Sequence, residues 1–129
     1  MSARQAIRAF LVVEAASFAA ASGVHHGLFV SGYQHEQAGI AEGLIAVVLV
    51  AGLILTWIGP LPARSIGLAA QGLALAGTLV GLFTIAIGVG PRTGPDLAYH
   101  ATIVAVLVWG LVVTARAPTG TAEAPRLAR

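Results

Sequence analysis

Gly43-Leu44-Ile45-Ala46-Val47-Val48-Leu49-Val50-Ala51-Gly52-Leu53-Ile54-Leu55-Thr56-Trp57-Ile58-Gly59 holds no charged residue and runs into Gly59-Pro60-Leu61-Pro62. A Gly-Pro-rich stop after an uncharged apolar run marks a helix end. Counted from Ala38 and at ~1.5 Å per residue, the run can cross a hydrocarbon core of ~30 Å. The rest of the chain agrees. Of 129 residues, 57% are hydrophobic and 9% charged, whereas globular domains carry about 25% charge. Apolar surface in this excess belongs in a bilayer, where backbone amides must be satisfied internally and spanning runs are helical.

Working outward, the chain reads as an all-α integral membrane four-helix bundle with spans at about 7–28, 38–58, 65–89 and 97–115. A tail over 116–129, rich in Pro, Ala, Thr and Arg, is expected to be disordered. Gly27–Gln37, Arg64 and Gly90–Asp96 mark the connections, and Asp96 is placed to cap the fourth helix. Basic Arg4 and Arg8 before an apolar run, with Ala19-Ala20-Ala21 following, also suit a signal peptide. Glu14 inside that run and the continuing Leu28-Phe29-Val30 favour a retained first helix.

All basic residues are Arg. Arg4, Arg8, Arg64, Arg116, Arg126 and Arg129 fall on one side and Arg92 on the other. The positive-inside rule then places both termini in the cytoplasm, in the bacterial inner membrane. No basic stripe suits nucleic acid. The absence of Cys excludes disulfides and thiolate metal sites. Trp57 is expected as an interfacial anchor and Trp109 as a packing residue. Gly39/Gly43, Gly77/Gly81 and Ala15/Ala19/Gly23 have the spacing of close helix contacts, which also permits a homo-oligomer.

This topology collects His25, His26, His35 and His100 at the outward end with Glu36, Glu42 and Asp96. Hydrated loop residues that terminate helices would give the same pattern. Three further readings stand. An outward pocket of His25, Glu42 and His100, with His26, Gln71 and Asp96 as further binding candidates, would make the chain an accessory or binding subunit of a membrane complex that binds a partner or a lipophilic small molecule. Glu14 and Glu42 would be the acid/base pair of a membrane-embedded enzyme of isomerase or cyclase type. His25, His100 and Glu42 would ligate a metal, or His25 or His26 with His100 a haem b; no cofactor is specified by the sequence. Deeper, Glu14 lies about 9 Å beyond Arg8 and Gln71 about 10 Å beyond Arg64 by helix rise. They are expected to hydrogen-bond across helices one and three, with Glu14 donating. Glu14, Ser17 and His25 would line one inward stripe. Glu42 is expected to stay hydrated near the interface.

Ala38-Gly39-Ile40-Ala41-Glu42-Gly43-Leu44-Ile45-Ala46-Val47-Val48-Leu49-Val50-Ala51-Gly52-Leu53 resembles the second helix of DoxX-like membrane proteins, where a Glu opens an apolar run. Ser22-Gly23 at the end of helix one is also similar. The resemblance implies a four-helix bundle and, in some members, a partner subunit of a redox complex in the membrane. The chain departs from that pattern in lacking Cys and in its outer histidines.

Overall fold

A computed structural model describes residues 1–119. Four helices follow one another: α1 (Ala3–His25), α2 (Glu36–Ile58), α3 (Ala63–Ala86) and α4 (Gly94–Arg116). All four are long and apolar enough to cross a membrane. Their outer faces carry Val12, Val13, Leu44, Val47, Ile54, Leu73, Val80 and Phe83. An apolar exterior around a partly polar interior is the arrangement that lipid, not water, stabilises. The chain therefore fits a small multi-pass membrane protein. The tail expected to be disordered lies, from residue 120 on, outside the described residues.

The helix starts differ from expectation for local reasons. α1 begins at Ala3 because Ser2 and Gln5 form a capping box. The Ser2 hydroxyl accepts from the Gln5 amide at 3.2 Å, and the Gln5 side chain accepts from the Ser2 amide at 2.7 Å. Two exposed amides are thereby satisfied. At α4, Thr93 and not Asp96 is the N-cap. Asp96 sits three residues on and closes the reciprocal box, with Pro95 in the first turn, where a missing amide hydrogen costs nothing. His35 caps α2 by accepting from the Ala38 amide at 3.2 Å. That leaves its other ring nitrogen to donate to the Val89 carbonyl at 3.3 Å, joining the two loops at this end. Gly27, Gly32 and Gly88 turn those loops with positive φ.

α1 and α3 each pack on α2 and α4, and α1 also meets α3 across the bundle, whereas α2 and α4 stay apart. Ile7, Leu11, Phe18, Leu49, Ile103 and Leu107 form the apolar core. Tight packing occurs at Gly39 and Gly77 of the expected pairs and also at glycines outside them. A Cβ built on Gly52 would lie 2.6 Å from the Ala70 Cβ. Gly52→Val is therefore expected to destabilise the bundle by ~1–3 kcal/mol, the usual cost of overpacking. Unfolding in a sodium dodecyl sulfate titration measures it. A Cβ at Gly72 meets nothing within 4 Å, so Gly72→Ala should leave stability unchanged or raise it by up to ~1 kcal/mol through helix propensity.

Arg8 on α1 donates to the Thr56 hydroxyl at 3.0 Å and to the Thr56 carbonyl at 2.6 Å, and lies 3.9 Å over the Trp57 ring. Arg64 donates to the Ala115 carbonyl near the end of α4. These contacts tie α1 to α2 and α3 to α4 at one end of the bundle, and the histidines occupy the other. Trp109 corrects an expectation. It is 65% exposed and faces outward, because Ile103, Leu107 and Gly110 hold the inward face of α4.

Candidate functional site

Two polar layers interrupt the core. The deeper one joins three helices. Gln71 on α3 donates its amide to both carboxyl oxygens of Glu14 on α1, at 2.9 and 3.2 Å. Thr114 on α4 donates to the Gln71 carbonyl oxygen at 2.8 Å. All three side chains are fully buried. The expected Glu14–Gln71 contact is present with the amide as donor, because Thr114 takes up the Gln71 oxygen and turns its nitrogen toward Glu14. Gly110 makes room for the layer: a Cβ there would run into Gln71 Nε2 and Glu14 Oε1.

The second layer lies at the histidine end. His25 is on the last turn of α1 and points between α2 and α4, the diagonal helices that do not touch. Its Nδ1 is 2.7 Å from Glu42 Oε2 and its Nε2 is 3.2 Å from Asp96 Oδ1. Only 4% of His25 is exposed, with Glu42 at 5% and Asp96 at 7%. Asp96 is held from the far side, where Oδ2 accepts from the Thr93 amide and hydroxyl at 3.0 and 2.5 Å. His100, one turn along α4, donates from Nδ1 to the Asp96 carbonyl at 2.7 Å. In the neutral ring, Nε2 of His100 is then an acceptor. It faces Gly81, where a Cβ would lie 3.7 Å away.

Glu42 departs from expectation. It is buried, because α1 and its connection cover the first turns of α2. Its second oxygen, Oε1, has no hydrogen-bond partner among the described residues. Glu42 and His100 line a cavity of about 280 Å³, walled by Phe18, Ile45, Gly77 and Gly81 and reaching the loops at His35 and Gly90. A separate cleft of about 530 Å³ lies between α1 and α4, lined by His25, Asp96, Tyr99, Ser17, Val30 and Tyr33. His25, Glu42 and Asp96 thus form the wall between two openings.

The other expected site residues fall elsewhere. His26 is exposed and packs over Gly39. Gln71 and Glu14 belong to the deep layer and line neither opening. Ser17 does not join an inward stripe with Glu14; its hydroxyl turns back to the Val13 carbonyl at 2.8 Å, and Phe18 takes the inward place. Tyr99 was not singled out by the sequence. Its ring packs edge-on against Phe18 and His100, and its buried hydroxyl has no partner among the described residues. The spacing Asp96, Tyr99, His100 on one helix was the available signal, since residues three and four apart are neighbours.

The ligand set for a metal does not assemble. Both nitrogens of His25 are committed to carboxyl groups. Among the described residues, no three His, Cys, Asp or Glu side chains are arranged to hold one ion. A haem held by His25 and His100 would have to break the same pairs. No family model matches the chain, and neither a curated protein nor a solved structure does.

Proposed function

We propose that this protein is a binding or accessory subunit of the bacterial inner membrane that takes up a lipophilic molecule bearing a hydrogen-bond donor. The molecule enters the α2–α3 cavity, and its hydroxyl or amine donates to Glu42 Oε1, with His100 Nε2 as a second acceptor. One observation carries this reading: among the described residues, the buried Oε1 of Glu42 has no hydrogen-bond partner, and Glu42 lines a mostly apolar cavity. An unsatisfied buried acceptor costs ~1–3 kcal/mol, and a donor brought by a ligand offsets that cost. The arginine distribution supports termini in the cytoplasm and the cavity on the outward side. The DoxX-like resemblance supports an accessory role beside a larger membrane partner.

A photoreactive long-chain alcohol tests the reading. It is expected to label the cavity walls of the wild type in nanodiscs. Glu42→Gln should weaken labelling at least ~10-fold, the equivalent of one hydrogen bond to a charged group. Gly81→Leu, which fills the cavity, should remove it. Equal labelling of all three proteins would refute the reading.

A second reading is favoured by the His25–Glu42 contact. A carboxyl with one oxygen held by an imidazole and the other free is equipped for acid–base chemistry on the bound molecule. On that reading Glu42→Gln stops turnover while a conservative loss of affinity remains. Glu14, sealed in the deep layer, then serves only to join helices.

A further inference from the structure

A chain of contacts runs from one opening to another: Glu42 lines the α2–α3 cavity, while His25 and Asp96 line the α1–α4 cleft. Both ring nitrogens are at hydrogen-bond distance from a carboxyl oxygen, 2.7 Å on one side and 3.2 Å on the other. Neutral imidazole has one donor and one acceptor nitrogen, so it can receive a proton at one and release one at the other. The groups facing His25 are Glu42 from α2, Asp96 from α4 and the His35 ring from the α1–α2 connection, its centroid 6.4 Å away.

We propose that His25 is a proton relay through which Glu42, in the ligand cavity, exchanges its proton with water in the α1–α4 cleft by way of Asp96. The proposal rests on the reading of Glu42 as the polar group of the cavity, but it requires no ligand. In the outward direction the Glu42 O–H bond breaks and an N–H bond forms at His25 Nδ1. The Nε2–H bond then breaks and an O–H bond forms at Asp96 Oδ1. Asp96 passes that proton to water in the cleft. No electrons change hands, and the return runs the same bonds backward without turning the ring. The Thr93 hydrogen bonds hold the other Asp96 oxygen, which keeps Oδ1 aimed at His25. A ligand donating to Glu42 Oε1 would therefore be able to lose a proton without opening its own cavity to water.

Time-resolved infrared spectroscopy after a pH drop, on protein in nanodiscs without ligand, tests the relay. The carbonyl band that rises on protonation is assigned to Glu42 by its loss in Glu42→Gln. Each variant is measured at its own titration midpoint, so that the loss of a charge does not pass for a loss of rate. Asp96→Asn keeps an oxygen for the Thr93 donors and should fold, but its amide cannot ferry a proton. It is expected to slow protonation of Glu42 at least ~10-fold, and His25→Phe should do the same. Tyr33→Phe, in the same cleft, should leave the rate unchanged. An unaltered rate in Asp96→Asn, or a Glu42 band that never responds, overturns the relay. Alcohol labelling that survives either result would show that the cavity reading stands without it.

Discussion

His25→Leu is expected to destabilise the bundle by roughly 3–5 kcal/mol, the range seen when one member of a buried ionic group is removed. Among the described residues, the imidazole is the only side-chain hydrogen-bond partner of Glu42, whose Oε1 has none. Without it both carboxyl oxygens are buried and unsatisfied, and Asp96 Oδ1 loses its partner as well. Leucine fills much of the volume, so lost packing is a minor part of the effect. The double replacement His25→Leu with Glu42→Leu should therefore be more stable than His25→Leu alone, because an apolar pair leaves less buried polarity than a stranded carboxyl. Sodium dodecyl sulfate titrations of the singles and the double give the coupling. Additive losses would show that His25 and Glu42 do not depend on each other.

Gly110→Val should be at least as severe, at roughly 3–9 kcal/mol. A Cβ at this position meets Gln71 Nε2 and Glu14 Oε1, and lies 3.0 Å from the Phe10 ring. Overpacking costs ~1–3 kcal/mol. Forcing the amide from the carboxyl adds the cost of buried groups left unpaired, ~1–3 kcal/mol each. Hydrogen bonds between membrane helices are worth only about 0.6 kcal/mol on average, so loss of the Thr114 contact alone should be mild. Thr114→Val is the comparison. If it proves as damaging as Gly110→Val, the layer is held by its hydroxyl and not by the space at Gly110.

The two layers were not equally legible. Glu14 and Gln71 could be paired because each could be measured in residues from an arginine at the same end. Thr114 could not: two residues before Arg116 it reads as a rim residue, and only the long Gln71 side chain brings it into the layer. At the histidine end, counting brought His25, Glu42 and His100 to one depth. It could not show that α2 and α4 stand apart, so the bridging place of His25 was hidden. Asp96 reads as a loop residue until Thr93 is recognised as the cap, which moves the carboxyl inside the first turn of α4. Trp109 was misplaced because its apolarity says nothing of direction in a membrane, where lipid and core accept an indole equally.

Modification by dicyclohexylcarbodiimide, a lipid-soluble reagent for carboxyl groups, bears most directly on the account. Glu42 lines a cavity and, among the described residues, keeps one carboxyl oxygen without a hydrogen-bond partner, whereas Glu14 is wrapped by Gln71, Thr114 and Gly110. Tandem mass spectrometry of protein treated in nanodiscs should find the adduct on Glu42 and not on Glu14, with long-chain alcohol slowing the reaction. An adduct on Glu14, or a Glu42 that stays inert while the bundle is folded, would contradict it.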